Sequence, residues 1–305
     1  MKIIYNNDEI NINFKNSAVC FGNFDGIHEG HHQLLIDLIK NSEKYNYLSV
    51  VMVFDPHTYS YFSNNHEHQI TTLDEKINKL KKYKIDILHV IKFNKDFAKI
   101  TAISFIEKIL IKKYNTKKIF VGPRCKFGAM GLGNIDLLKK YSVFSTEVIT
   151  EYIKNDHIIS SSQIRKFLID GDIESAKMLL GCNYAVTGAV IHGKKIGRTI
   201  GYPTVNLKMT NRLKPKLGVY AGIIHYNNKK LHGAISIGNR PTITDDDHEI
   251  LLEMNIFDFN QEIYGANVTI EFIKFIREEL KFNNIDDLKI QIEQDIIKIK
   301  ETNLT

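Results

Sequence analysis

The sequence predicts an α/β protein of two domains. The first, over residues 1–183, carries a parallel sheet, and the second, over residues 184–305, is a small antiparallel β-barrel with a terminal helix. Up to about Tyr184, short apolar runs alternate with helical patterns, which is how a parallel sheet covered on both faces is built. From Asn183 the pattern changes to period two, with consecutive short strands joined by turns. A length of 305 residues is enough for two cores of ordinary size.

The first apolar run, residues 18–21, leads into the string CFGNFDGIHEGHHQLL at 20–35. Leu34, Leu35, Leu38 and Ile39 then recur at helical spacing, so the segment reads as strand, tight turn and helix. A helix start of this kind presents backbone N–H groups to a phosphate. Gly22, Gly26 and Gly30 allow sharp turning and close ligand approach, with Phe24 and Asp25 between them. His28 and His31 are three apart and share a face once the helix begins. Two imidazoles there can donate to phosphate oxygens and stabilise charge that grows during phosphorus transfer. Taken alone, the cluster with Glu29 reads equally as a metal site or a solvated helix start.

Further strands are expected over 48–54, 85–91, 118–121 and 143–149, with helices near 33–41, 73–83, 103–114 and 135–141. Thr72 followed by Glu75 reads as a capping box. In a parallel sheet, ligands bind beyond the carboxyl ends of the strands, where the two-histidine turn falls. Asp55, Pro56 and His57 end the second strand at that edge. The four-glycine stretch VGPRCKFGAMGLGN at 121–134 either wraps a flavin or ribose or is a plain connection. At 160–165, SSSQIR offers an N-cap in Ser160 or Ser161. Ser161, Ser162 and Arg165 are also suited to gripping terminal phosphates at a helix start. A short helix over 172–180 ends at Gly181 as its C-cap, and the domain cut follows it.

In the second half, strands are expected over 184–191, 219–226, 231–237, 250–259 and 268–276. A helix from 283 onward places Leu288, Ile292, Ile296 and Ile299 on one stripe. The string HGKKIGRTIGYPTVNL at 192–207 combines Gly193, Gly197 and Gly201 with Arg198 and other donors, a loop suited to phosphates. Thr204 and Asn206 offer hard oxygen ligands for Mg²⁺. Residues 237–242, IGNRPT, read as a strand end and turn. Glu253 lies in an alternating strand, where it points either to solvent or inward as a base for an alcohol.

Composition narrows the classes. Hydrophobic residues make up 43% and charged residues 25%, as in globular proteins, and no apolar run is long enough to span a bilayer. The N-terminus MKIIYNNDEI lacks the apolar core of a signal peptide. Cys20, Cys125 and Cys182 are odd in number and widely spread, so neither a disulfide framework nor a zinc site is expected, and the cytoplasm is the expected compartment. The net charge of +6 suits phosphorylated ligands; without an aromatic–basic platform it does not point to nucleic acid. Only six of the 41 basic residues are arginine, and four of these (Arg165, Arg198, Arg240, Arg277) fall inside the strings above, where a planar fork is useful.

With these strings in place, the chain resembles the prokaryotic bifunctional riboflavin kinase/FMN adenylyltransferase family over essentially its whole length. The first half carries GNFDGIHEGH, FDPH and SSSQIR; the second carries GRTIGYPTVNL, GVYAG, IGNRPT, LEMNIFDF and FIREELKF. The resemblance implies a Rossmann-like nucleotidyltransferase domain followed by a barrel of riboflavin kinase type. It implies ATP and Mg²⁺, with flavin as substrate and product, small-molecule partners only, and no nucleic acid or membrane. His28 and His31 would bind ATP phosphates during adenylyl transfer, with Ser161, Ser162 and Arg165 near the β- and γ-phosphates. Thr204 and Asn206 would hold Mg²⁺ and ATP, Glu253 would act as base for the riboflavin 5′-hydroxyl, and Arg277 would lie near the flavin. Arg124 and Cys125 stand where the family commonly has Asp or Asn and then Phe. Two alternatives follow: a kinase with a degenerate adenylylation half, or a non-catalytic flavin or nucleotide sensor.

Overall fold

The computed structural model describes residues 1–5, 16–193, 196–239 and 250–302. The chain divides into two compact units, Met1–Ser161 and Ser162–Thr305. Among the described residues, no helix is long and apolar enough to cross a membrane.

The first unit runs β1 (Lys2–Tyr5), β2 (Ser17–Gly22), α1 (Glu29–Tyr45), β3 (Leu48–Asp55), α2 (Thr58–Ser63), α3 (Leu73–Leu80) and β4 (Ile87–Lys92). It continues through α4 (Lys95–Ala98), α5 (Ala102–Ser104), a π-helix (Phe105–Lys113), β5 (Thr116–Val121), α6 (Ile135–Lys139), β6 (Ser145–Val148) and a small hairpin of β7 (Ile153–Lys154) and β8 (His157–Ile158). Six strands form one parallel sheet in the order β1-β4-β3-β2-β5-β6. The order reverses between β2 and β5, so the crevice for a ligand opens at the carboxyl end of β2.

Burial on both faces explains why these strands read as continuous apolar runs. Along β2, Ala18 and Cys20 enter one core with Leu34, Leu35 and Leu38 of α1, while Val19 and Phe21 enter the other with Phe105 and Leu110. The Thr72–Glu75 capping box expected at the start of α3 is present in both directions. The short elements α2, α4 and the β7–β8 hairpin escaped the sequence reading, as did two larger features. The edge strand β1 is four residues long and only half-buried, too short to show a period. The expected helix over 103–114 is wound mostly as a π-helix, which hydrophobic spacing does not distinguish from an α-helix.

The second unit begins within α7 (Ser161–Asp170), followed by α8 (Ile173–Leu180), which ends at Gly181 in the left-handed conformation as expected. The barrel comprises β9 (Ala185–Ala189), α9 (Ile196–Thr199), β10 (Thr204–Lys208), β11 (Gly218–Tyr226), β12 (Lys229–Asn239), β13 (Ile250–Ile256) and β14 (Asn267–Arg277). Its strand order is β10-β13-β12-β11-β14-β9, antiparallel throughout, and a bridge from Ile191 to Asn206 nearly closes it. Helix α10 (Ile285–Glu301) packs on the outer face through Ile299, against Val219, Ala221 and Ile276. The compact units divide earlier than the expected cut at 183–184, because α8 packs on β14 and the Lys216 N–H donates to the Leu168 carbonyl of α7. Strand β10 was read as part of a loop, since its five residues include the buried polar Asn206.

Candidate functional site

Two constellations stand out, one in each unit. In the first, the turn from β2 to α1 is locally strained. Phe24, Gly26 and Ile27 all have positive φ, at 48°, 81° and 45°. A β-branched residue in this region is rare, and each non-glycine instance costs on the order of 1–3 kcal/mol. The surroundings hold it. The buried Asp25 carboxylate accepts from the Ile70 and Thr71 N–H groups, and the Gly26 N–H donates to Thr71 Oγ1 at 3.0 Å. Lys76 Nζ donates to the Asn23 carbonyl at 2.6 Å, and Lys79 Nζ to that of Gly26 at 3.2 Å. Ser161 Oγ donates to the Asp25 carbonyl at 2.9 Å, tying the start of α7 to the turn.

This frame aims the histidines. His28 caps α1, its Nδ1 accepting the His31 N–H at 3.4 Å. The two rings stack with centroids 3.8 Å apart. Gly30 sits close under the first ring, since a Cβ there would lie 3.3 Å from the His28 ring. A Cβ at Gly22 would meet only ordinary contacts with Phe24. His31 Nδ1 is buried without a hydrogen-bond partner, which leaves Nε2 as the nitrogen that can meet a ligand. Burial holds His31 well below the usual imidazole range, reinforced by His28 and then Lys76. A neutral imidazole at a helix N-terminus, as His31 provides, is suited to donating to phosphate oxygens. Ser162 and Arg165 follow on α7, with Arg165 buried one turn on.

The same unit holds a feature that sequence reasoning missed. A cavity of about 250 Å³ is walled by Phe54, Phe62, Phe93, Phe97, Phe105 and Phe127, with Thr58, Lys126 and Met130 also lining it. Phe127 and Met130 come from the four-glycine loop. Arg124 is turned to Glu151, with its Nε at 3.0 Å. Burial pushes the Cys125 thiol up to about 12, so it is not a reactive thiolate.

In the second unit, Asn206 of β10 pairs with Glu253 of β13, so their side chains share a face. Leu252 and Met254 beside Glu253 are fully buried in the barrel. Glu253 is therefore on the outer face, half-buried, and neither points to open solvent nor fills the interior. Its Oε2 accepts from Thr204 Oγ1 at 3.3 Å. Three oxygen-bearing side chains thus converge. Gly193 lies against them, since a Cβ there would be 2.6 Å from Asn206 Oδ1. A Gly193→Ala side chain would therefore displace Asn206 from this cluster.

Register carries the row further. Asn206, Glu253, Ser236, Val219 and Arg277 are successive partners across β10, β13, β12, β11 and β14. Three strand spacings put Arg277 about 14 Å from Glu253 along one face. Its fork is engaged by Asp295 of α10, Nε at 2.9 Å and Nη2 at 2.7 Å. Gly197 and Arg198 lie in α9 and Gly201 follows it; Arg198 pairs with Glu262 at 2.7 Å on an exposed surface. Arg198 and Thr204 also line a cleft of about 280 Å³ with Val190, Ile256 and Tyr264. Lys194, Lys195, Arg240, Pro241 and Thr242 lie outside the described residues.

Comparison with known proteins covers both halves. A family model described as FAD synthetase matches residues 11–163, and one described as riboflavin kinase matches residues 180–303. A bifunctional riboflavin kinase/FMN adenylyltransferase from Buchnera aphidicola subsp. Schizaphis graminum is 40% identical, covering 98% of this chain and 96% of its own. Proteins of the same description from Haemophilus influenzae and Bacillus subtilis are each 38% identical over 92% of this chain, covering 92% and 90% of their own. A crystal structure described as a macrolide-efflux protein from Streptococcus pneumoniae is 32% identical, with a TM-score of 0.84, covering 94% of this chain and 95% of that one.

Proposed function

The chain belongs to the bifunctional riboflavin kinase/FMN adenylyltransferase family, and from that premise we propose which of its residues perform each reaction. The protein phosphorylates riboflavin to FMN with ATP and then adenylylates FMN to FAD, releasing pyrophosphate. The functional boundary is put at 183–184, after α7 and α8, with Ser161, Ser162 and Arg165 of α7 assigned to adenylylation on the strength of their SSSQIR string.

Phosphorylation is assigned to the face around Glu253. The hydrogen bond from Thr204 to Glu253, with Asn206 alongside, is the observation that carries this reading. The riboflavin 5′-oxygen attacks the γ-phosphorus of ATP, the bond from that phosphorus to the β,γ-bridging oxygen breaks, and ADP leaves. Glu253 accepts the hydroxyl proton. Thr204 Oγ1 and Asn206 Oδ1 are hard oxygen donors and fit Mg²⁺, which when bound with ATP would neutralise charge on its phosphates. The isoalloxazine ring is placed near Arg277, whose bond to Asp295 ties it to α10. Gly193, Gly197, Arg198 and Gly201 frame the nucleotide.

Adenylylation is assigned to the turn after β2. A phosphate oxygen of FMN attacks the α-phosphorus of ATP and pyrophosphate leaves. His28, His31 and the N–H groups of the turn, framed by Gly22, Phe24, Asp25, Gly26 and Gly30, receive the charge, and Ser161, Ser162 and Arg165 grip the leaving phosphates. The phenylalanine cavity takes the flavin ring of FMN by stacking. Neither reaction requires a protein nucleophile, so the work is placement and electrostatics. The cytoplasm is the proposed compartment, supported by three free cysteines. Chromatography of products from riboflavin, ATP and Mg²⁺ over time tests the assignment: FMN is expected first and FAD second. FMN accumulating without FAD would instead select the kinase with a degenerate first half.

A further inference from the structure

Lys76 lies on the inner face of α3 and is 1% exposed, although an amphipathic helix normally turns its lysines to water. We infer that Lys76 is a positioning residue for adenylyl transfer, gripping the two-histidine turn from its buried side and joining it to the wall of the phenylalanine cavity. The inference rests on the assignment of that turn to the adenylylation of FMN.

The connection is continuous. Lys76 Nζ donates to the Asn23 carbonyl at 2.6 Å, at the point where β2 gives way to the strained turn. The Asn23 side chain clamps the first residue of α2 from both ends. Its Nδ2 donates to Thr58 Oγ1 at 2.9 Å, and its Oδ1 accepts the Thr58 N–H at 3.2 Å. Thr58 lines the cavity. One ammonium therefore sets the spacing between the groups that receive ATP and the wall that receives the flavin. In-line attack needs that spacing correct within a fraction of an ångström.

The charge has a second effect. His31 is faced by His28 from its own helix and by Lys76 from α3, while Asp25 of the turn and Asp55 at the end of β3 act on Lys76. Burial lowers Lys76, and the two carboxylates oppose that, holding an ammonium between them. This positive charge adds to the burial that keeps His31 neutral. A doubly protonated His31 would carry a buried Nδ1–H with no acceptor. Lys76 thus fixes the turn and helps to set the form of the imidazole on it.

The test compares Lys76→Met, Lys76→Gln and Asn23→Ala with the parent in the full-length protein, FMN and Mg·ATP being supplied. Lys76→Met is expected to lower kcat for FAD formation about 100-fold. Both Lys76 variants should move the acid limb of kcat/KM to higher pH, because His31 then protonates more readily. Glutamine can still donate to the Asn23 carbonyl, so Lys76→Gln should lose less kcat than Lys76→Met. Asn23→Ala should raise KM for FMN about tenfold and leave the acid limb in place. Circular dichroism shows that the variants fold, and an unchanged riboflavin kinase rate shows that the second unit is intact; if Lys76→Met does not fold, Lys76→Gln is read alone. A folded Lys76 variant with the parental kcat and acid limb would overturn the inference, as would loss of fold in both, which would make Lys76 a packing residue. His28→Ala is run alongside. If it makes FAD at the parental rate, the assignment of the turn falls; if it is inactive while Lys76→Met is not, only the role of Lys76 falls.

Discussion

Glu253→Ala is expected to slow the conversion of riboflavin to FMN by about 1,000-fold, while the same protein supplied with FMN still forms FAD. The size follows from what the carboxylate is asked to do, since a positioned general base is worth roughly 10²–10⁴ in rate. Glu253 is held for that task by its strand, with Leu252 and Met254 buried on the opposite face and Thr204 Oγ1 bonded to its Oε2. Glu253→Gln keeps shape and hydrogen bonding while losing basicity, so it should resemble the alanine variant in kcat and the parent in ATP affinity. Kinetics at saturating riboflavin separate the two. Parental turnover by Glu253→Gln would remove Glu253 from proton transfer.

The second large effect is expected at the other site. His31→Ala should lower FAD formation from FMN about 100- to 1,000-fold, the usual loss on removing one preorganised donor from a developing negative charge. Riboflavin phosphorylation should be unaffected. His28→Ala should cost at least as much, because it removes both a donor and the cap whose Nδ1 accepts the His31 N–H. The pH dependence has a definite sign. His31 lies well below the ordinary imidazole range, so FAD formation should hold through neutral pH and fail only as pH falls through that lowered value. A rate that already fell on going from pH 7 to pH 6 would contradict a neutral His31.

Much of this arrangement was legible because it rests on local rules. The strand–turn–helix at 18–39, the capping box at Thr72 and Glu75, and the αL glycine at 181 each depend on residues within one or two turns of each other. Strand β14 shows its alternation because one face is buried, whereas β11 is buried along most of its length. What remained hidden depends on distant partners. Lys76 reads as a surface residue until the turn it grips is folded over it. The phenylalanines of the cavity come from separate segments between Phe54 and Phe127 and carry no common spacing. Arg277 was read as a flavin neighbour from its string, but its bond to Asp295 on α10 joins residues 18 positions apart through the fold of the sheet. The strand Thr204–Lys208 reads as part of a loop, because five residues interrupted by the buried amide of Asn206 show no clear period.

The central claim is that two separate sites act in sequence, and mixing two single-site variants tests it most directly. His28→Ala should convert riboflavin to FMN and stop; Glu253→Ala should convert FMN to FAD but leave riboflavin untouched. Combined in one vessel with riboflavin, ATP and Mg²⁺, they should produce FAD, with FMN rising first and then falling. If either variant, still folded, loses both half-reactions, or retains both, the division of labour described here is wrong.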